Sequence, residues 1–134
     1  MHPPTHRGCQ VFYFSVWRWC ISKAHELLEV HESVAELREH ALLEGLEQFL
    51  PLEPAQDGHM KLIEVKVDVE YAMTKTDLSK PIIVAPLAGP PGSDLGLMPI
   101  DGWHRIYRAL VEGRHTLPAY LLNPTAELAI RIPR

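Results

Sequence analysis

The sequence predicts an α+β fold, a small mixed β-sheet with packed helices, and three segments of its C-terminal half carry this prediction. The continuous apolar run at residues 81–85 is typical of a strand covered on both faces. Residues 103–113 place apolar side chains at helical spacing and end in glycine. Residues 117–122 are again apolar and predict another strand. A strand, a helix and a strand in this order indicate that sheet and helix share one core.

Two weaker patterns extend the predicted sheet. Val65, Val67 and Val69 alternate with charged residues, which predicts a half-exposed strand. A Gly- and Pro-rich loop at residues 89–96 leads to a short strand at residues 97–100.

The N-terminal half predicts one strand followed by helices. Residues 10–19 are aromatic and β-branched, and we expect their odd-numbered side chains to share one face of a strand. A helix should begin near Ser22. The capping box from Ser33 to Glu36 predicts a second helix that reaches Phe49, because the two side chains satisfy free backbone N–H groups reciprocally.

Residues 51–58 (PLEPAQDG) predict a linker, which divides the chain into two parts. Residues 1–58 form an N-terminal strand plus a helical extension, and residues 60–134 form the α/β core. Residues 1–59 contain four Lys and Arg against nine Asp and Glu, a balance of −5, whereas residues 60–134 contain nine against eight, a balance of +1. Neither half has the basic surplus that duplex DNA requires, so DNA is not the expected partner. The acidic helices of residues 1–58 suggest a protein partner or a second copy of the chain.

The cysteines and the hydropathy bear on the cellular setting. If residues 11–19 form one strand, Cys9 and Cys20 point to opposite faces, so we expect no disulfide and a reduced, cytoplasmic protein. No stretch approaches the roughly 20 apolar residues of a transmembrane helix, so we expect no membrane span.

The segment most informative about chemistry is Asp101-Gly102-Trp103-His104-Arg105, where a predicted strand turns directly into a helix. The first N–H groups of a helix have no internal partner, and the helix dipole is positive there, so this position attracts phosphate. Gly102 would allow a ligand to approach the backbone closely. Two basic residues in a first helical turn are unfavourable unless an anion binds between them. We therefore expect an anion site formed by Gly102, His104 and Arg105.

Each of these residues also has a purely structural interpretation. Arg105 can pair with Asp101 or with another carboxylate, and His104 can cap a carbonyl. Asp101 is best explained as the helix N-cap, and less well as a metal or hydroxyl partner. Trp103 is better explained as a packing residue than as a platform for a base.

Four segments, taken in chain order, resemble the ParB/sulfiredoxin superfamily. They are the strand Pro81-Ile82-Ile83-Val84, the turn Ile100–Arg105, the glycine Gly113 and the strand from Leu117 to Leu121. The resemblance covers about residues 60–123. It implies a ParB/sulfiredoxin-like fold with phosphate held at the helix start by Gly102, His104 and Arg105. Residues 1–58 have no counterpart in this pattern.

The activities of that superfamily differ widely, so the resemblance alone does not specify one. ParB binds and hydrolyses CTP and loads onto DNA, sulfiredoxin uses ATP to repair an over-oxidised cysteine, a free serine kinase uses ADP, and some members are described as nucleases. Trp103 replaces the reactive cysteine of sulfiredoxin, which argues against that chemistry. Trp103 and His104 replace the acidic residue and second arginine of ParB, and we expect no downstream helix-turn-helix domain of the ParB kind. The serine kinase pattern, Asp-Gly-x-His-Arg, is locally the most similar.

A phosphotransferase also needs a carboxylate to accept the hydroxyl proton. The candidates are Glu64, Asp68, Glu70 and Asp77, for which solvated surface charge is the usual explanation. Arg108 is either a second phosphate contact or the partner of Glu112 one helical turn later.

Our expectation is therefore a domain that binds a nucleotide (ATP, ADP or CTP, with Mg²⁺) or a phosphorylated small molecule, and that acts as a phosphotransferase or phosphohydrolase. Asp101, His104 and Arg105 would be catalytic, while Gly102, Trp103, His104, Arg105 and Arg108 would bind the nucleotide. We expect no metal site built from protein side chains. The alternatives are a non-enzymatic binding or adaptor module of the same fold, or a ParB-like nuclease or DNA-associated domain.

Overall fold

A computed structural model describes residues 9–30, 32–50, 65–88 and 94–133. They form an α+β fold with a β-hairpin and a four-stranded mixed sheet in the order β3-β6-β4-β5. Short 3-10 turns lie at Glu32–Val34 and Leu46–Phe49. The strands and helices are, in chain order, β1 Val11–Phe14, β2 Trp17–Cys20, α1 Ile21–Val30, β3 Ala35–Leu42, α2 Val69–Lys75, β4 Ile82–Ala88, β5 Asp94–Asp101, α3 Trp103–Val111, β6 Thr116–Leu122 and α4 Pro124–Ile130.

The chain divides into two compact units, and each is built from segments that are distant in sequence. Unit 1 comprises Met1–Leu37, Ile83–Asp101 and Tyr120–Arg134, and unit 2 comprises Arg38–Ile82 and Gly102–Ala119. The predicted linker at residues 51–58 lies outside the described residues, so the predicted division into residues 1–58 and 60–134 stays a prediction.

The predicted N-terminal strand is in fact a hairpin. Ser15 adopts a left-handed conformation with φ of 55°, and the chain reverses so that Val11 pairs with Cys20 and Phe14 with Trp17. The reversal places the rings of Phe14 and Trp17 in a stack with centroids 6.0 Å apart. The expected common face of odd-numbered residues was wrong, because the turn at Ser15 changes the alternation midway.

The same turn overturns the prediction about the cysteines. Cys9 and Cys20 form a disulfide, with their Cα atoms 5.7 Å apart. The expectation of opposite faces assumed one continuous strand, whereas the hairpin returns Cys20 to the side of Cys9. The two cysteines thus close the open end of the hairpin.

The predicted second helix was also wrong, because Ala35–Leu42 forms the edge strand β3. Both flanks of β3 are held by hydrogen bonds next to the ends of β6, from Asn123 N–H to the Val34 carbonyl (2.9 Å) and from Leu43 N–H to the His115 carbonyl (3.0 Å). Helix propensity is worth only tenths of a kcal/mol per residue, so pairing with a neighbouring strand outweighs it.

The half-exposed strand predicted from the alternation of Val65, Val67 and Val69 with charged residues was also wrong. Residues 65–68 have no regular structure, and Val69 is the first residue of α2. Asp68 is the N-cap of α2, since its Oδ1 accepts the N–H of Tyr71 at 3.1 Å. A favourable cap therefore decides where this segment becomes helical.

Four predicted elements are confirmed: α1 near Ser22, the buried strand β4, the helix α3 and the strand β6. The short strand predicted at residues 97–100 is part of the longer β5. Beyond α3, Gly113 has φ of 80° and its N–H donates to the Leu110 carbonyl, while Arg114 N–H donates to the Ala109 carbonyl. This pair of bonds is a Schellman motif, which ends the helix as the glycine predicted.

The helix α4 was not predicted. Asn123 is its N-cap, with Oδ1 accepting the N–H of Ala126 at 2.8 Å, and Pro124 occupies its first turn. Both are ordinary helix-start signals, so the sequence did contain evidence for this element.

The apolar core of unit 1 lies between the hairpin, α1, α4 and one face of the sheet. Glu127 is buried in this unit with 3% of its surface exposed, and its Oε2 accepts hydrogen bonds from Trp19 Nε1 and Arg131 Nε, each 2.8 Å long. The carboxylate of Glu127 raises the pKa of Arg131. The buried apolar side chains of this core are Trp19, Ile21, Ala24, Ile83, Ala85, Ile100, Leu122, Ala126 and Ile130.

Unit 2 buries apolar side chains from α2, α3 and the segments before and after them. They are Leu43, Leu50, Ala72, Leu78, Ile82, Trp103, Ile106, Tyr107, Ala109, Leu117 and Ala119. None of the described helices in either unit is long and apolar enough to cross a membrane.

Two Glu–Arg pairs at helical i,i+4 spacing provide a matched test of burial. Glu127→Ala should lower the free energy of unfolding by about 3 kcal/mol, because it leaves the Trp19 N–H and the Arg131 guanidinium without their acceptor. Glu112→Ala breaks the half-exposed pair with Arg108 and should cost only about 0.5 kcal/mol. Urea denaturation measures the free energy of unfolding of both variants. Equal losses of this free energy would contradict the larger stabilising contribution expected of the buried pair.

Candidate functional site

The helix α3 begins at a contact that only glycine allows. Gly102 has φ of 100°, and a Cβ atom there would lie 2.4 Å from Cγ2 of Ile82 at the start of β4. The sequence suggested that Gly102 leaves room for a ligand. In the structure the side chain of Ile82 takes that room, so the glycine is required by packing.

The first turn of α3 contains two basic residues and no acidic residue. Gly102 occupies the N-cap position and supplies no side-chain hydrogen bond, and the first turn contains no acidic residue. The residues that follow are Trp103, His104 and Arg105, and the first intrahelical bond runs from Ile106 N–H to the Gly102 carbonyl (2.9 Å). The positive end of the helix dipole and the guanidinium of Arg105 are therefore of the same sign here.

Asp101 was predicted to be the N-cap of α3, and this prediction was wrong. Within unit 1, its Oδ2 lies 2.7 Å from Nε2 of His25 on α1, and the side chain of Asp101 is 18% exposed. The two residues are 76 positions apart, so no local signal in the sequence could have paired them. Asp101 is therefore bonded to a neighbouring helix, and the N-cap position falls to Gly102.

His104 connects the starts of two helices in unit 2. Its Nε2 accepts the backbone N–H of Asp68 at 3.1 Å, and the Tyr71 ring meets the imidazole edge-on with centroids 5.1 Å apart. A nitrogen that accepts a hydrogen bond carries no proton, so the ring is neutral in this arrangement and its N–H is on Nδ1. The sequence predicted a carbonyl or an anion as the partner of His104. The backbone N–H of Asp68 was not predicted.

Arg105 bonds to the backbone that leads into β4. Its Nη1 donates to the carbonyls of Lys80 and Pro81, both at 2.7 Å. The alternative drawn from the sequence, a pair of Arg105 with Asp101 or with another carboxylate, stays a prediction. A guanidinium that donates to two carbonyls keeps its full positive charge, so Arg105 both anchors α3 and contributes positive potential at its first turn.

Arg108, one turn later, has the salt bridge that the sequence predicted. Its Nε lies 2.9 Å from Oε2 of Glu112, and its Nη1 donates to the Thr76 carbonyl at 2.8 Å. Arg108 also lines a cavity of about 440 Å³ beside the end of α2. The residues around this cavity are Thr76, Asp77, Leu78, Ser79, Arg108, Glu112 and Arg114.

Trp103 is a packing residue. Only 5% of its surface is exposed, and the ring of Phe49 meets it edge-on with centroids 6.0 Å apart. Burial of the ring favours the packing interpretation over a platform for a base, and the contact between Trp103 and a nucleotide stays a prediction.

The carboxylates considered as a catalytic base have other partners or surroundings. Asp68 caps α2, and Glu70 is exposed in the first turn of the same helix. Hydrogen bonds from the Ser79 hydroxyl and backbone lower the pKa of Asp77, as do the nearby charges of Lys80 and Arg105. A lowered pKa makes a carboxylate a weaker base. Glu64 lies outside the described residues.

Comparisons of the chain with protein-family models, with curated proteins and with solved structures found no match. Among the described residues, no group of three or more His, Cys, Asp or Glu side chains could hold a metal ion.

Glycine at position 102 should be required for stability, with Gly113 as the matched control. Gly102→Ala combines a left-handed alanine with a clash against Ile82, and should cost about 3–4 kcal/mol. Gly113 also has positive φ but has no atom within 4 Å of an added Cβ, so Gly113→Ala should cost about 1–2 kcal/mol. Thermal unfolding of the two variants measures the difference, and an equal loss would show that the Ile82 contact can relax.

Arg105 should stabilise the protein even when no ligand is bound. Arg105→Ala removes the donor to two carbonyls and should cost about 1–3 kcal/mol, a fall in Tm of several degrees. The control Arg114→Ala removes an exposed arginine and should change stability by less than about 0.5 kcal/mol. A ligand-free Tm that is unchanged in Arg105→Ala would contradict the anchoring role of this side chain.

Proposed function

We propose that the first turn of α3 binds the phosphate group of a nucleotide or of a phosphorylated small molecule. The observation that carries the proposal is a first helical turn with two basic residues, no carboxylate and no side-chain cap. The resemblance of residues 60–123 to the ParB/sulfiredoxin superfamily supports it, because members of that superfamily hold phosphate at the equivalent helix start.

The electrostatics of the turn support an anion as the ligand. The N–H groups of residues 103–105 precede the first intrahelical bond, and the helix dipole adds partial positive charge. A cation in this position costs about 0.3–1 kcal/mol without an anion. A bound phosphate removes this cost and accepts the backbone N–H groups.

His104 and Arg105 would contribute in different ways. Because Nε2 of His104 is occupied by the Asp68 N–H, His104 would offer phosphate its Nδ1–H as a neutral donor. Arg105 would act mainly through its charge, since its Nη1 is bonded to the carbonyls of Lys80 and Pro81. Mg²⁺ would arrive bound to the phosphates of a nucleotide, since it is commonly held by substrate phosphates.

The second candidate function is binding without turnover, as in an adaptor module. It is favoured by the carboxylates of unit 2, because Asp68 caps α2 and the pKa of Asp77 is lowered. Both observations argue against these residues as the base of a phosphotransferase or phosphohydrolase. A ParB-like nuclease is disfavoured by the net charge of −4.

The test places a negative charge at one position, His104, in the first turn of α3. We expect wild-type protein to show a higher Tm with at least one of ATP, ADP, CTP, GTP, phosphate or pyrophosphate, with or without Mg²⁺. A ligand at 100 times its Kd adds about 2.7 kcal/mol, which corresponds to roughly 10 °C. His104→Glu should abolish this shift, because a carboxylate repels phosphate.

The matched variant His104→Gln retains an acceptor for the Asp68 N–H and remains neutral, so it should keep most of the shift. The ligand-free Tm of His104→Glu should be no lower than that of His104→Gln, since an acidic residue suits a helix start. A full shift in His104→Glu, or no shift in the wild type, would overturn the proposal. Phosphorus NMR of the ligand that binds then separates the two candidate functions, since only an enzyme releases product.

A further inference from the structure

The two sulfur atoms of the Cys9–Cys20 disulfide have different surroundings. Cys20 is 1% exposed within unit 1, whereas Cys9 is partly exposed at the open end of the hairpin. Thiol–disulfide exchange begins with attack of a thiolate on the sulfur it can reach. Access therefore directs an incoming thiol to Cys9.

Cys20 lies at the start of the ten-residue helix α1. Its Sγ accepts the backbone N–H of Lys23 at 3.4 Å, the bond that a capping side chain makes at a helix N-terminus. A thiolate in this position would be stabilised by that N–H group and by the positive end of the helix dipole. Exchange is faster when the departing thiolate is stabilised. The surroundings of Cys20 thus make it a good leaving group.

We propose that the Cys9–Cys20 disulfide is a site of reversible thiol exchange with a small soluble thiol, in which Cys9 is attacked and Cys20 leaves. The thiolate of the reagent forms a bond to Cys9 Sγ, the Cys9–Cys20 bond breaks, and its electron pair remains on Cys20 Sγ. A second thiol attacks the mixed disulfide at the reagent's sulfur and releases Cys9. The disulfide gains two electrons and two protons, and two reagent thiols are oxidised to one disulfide.

The local fold does not depend on the disulfide alone. Ile21 N–H donates to the Gln10 carbonyl at 2.7 Å, and Gln10 N–H donates to the Ser22 hydroxyl at 3.2 Å. The hairpin pairing from Val11 to Cys20 adds further hydrogen bonds. Reduction therefore frees Cys9 while Gln10 and the hairpin stay attached to α1, so the site can open and close within the folded protein.

Glutathione mapping of two single-cysteine variants tests which sulfur is attacked. Cys20→Ser leaves Cys9 as the sole thiol and places a serine, a preferred N-cap, at the start of α1. Cys9→Ser leaves the buried Cys20. With oxidised glutathione, intact-mass analysis of the folded proteins should show a mixed disulfide in Cys20→Ser and little in Cys9→Ser. Equal modification of both, or modification of Cys20 alone, would overturn the proposed direction.

The contribution of the helix start is tested in the otherwise unchanged protein. Lys23→Pro removes the N–H that Cys20 Sγ accepts, at a first-turn position where proline is tolerated, and Lys23→Ala keeps this N–H. Reduction of the disulfide by reduced glutathione should be about tenfold slower in Lys23→Pro than in Lys23→Ala, from the loss of one hydrogen bond to a charged group. Equal rates, or a wild-type disulfide that glutathione cannot reduce while the protein stays folded, would overturn the proposal.

Discussion

The close contact between Gly102 and Ile82 is the constraint on which unit 2 depends. No Cβ fits between them, so only glycine allows α3 to begin beside the first residue of β4. From this fixed start, His104 reaches the first turn of α2, and Arg105 reaches the carbonyls that precede β4. Arg108, one turn later, reaches the end of α2. Three residues of α3 thus contact backbone polar groups from a helix start that only glycine allows.

These contacts explain how basic residues can occupy a first helical turn that disfavours them. Hydrogen bonds to carbonyls offset part of the cost of placing Arg105 near the positive end of the dipole. They leave its charge in place, because a carbonyl is a dipole and carries no net charge. A structural role for Arg105 and a positive potential for an anion are thus compatible, and the structural role sets the position of the charge.

Part of this candidate site could be predicted from the sequence. The Asp-Gly turn, the helix behind it and the Arg108–Glu112 pair depend on neighbours within a few residues, so local spacing was sufficient. The partners of His104 and Arg105 were missed because they are backbone groups 36 and 24–25 residues away. Backbone donors and acceptors have no signature in the amino-acid sequence, since nearly every residue has one of each.

The sequence by itself determined the α+β class, the helices α1 and α3 and the strands β4 and β6, because periodicity and capping residues act within one element. Tertiary structure decided the elements whose local signals were ambiguous or misleading. Residues 35–42 favour a helix locally but pair with β6, and the reversal at Ser15 brings Cys9 and Cys20 together. In both cases hydrogen bonds to a distant or reversed strand exceed the small local preference, and only the folded chain contains those partners.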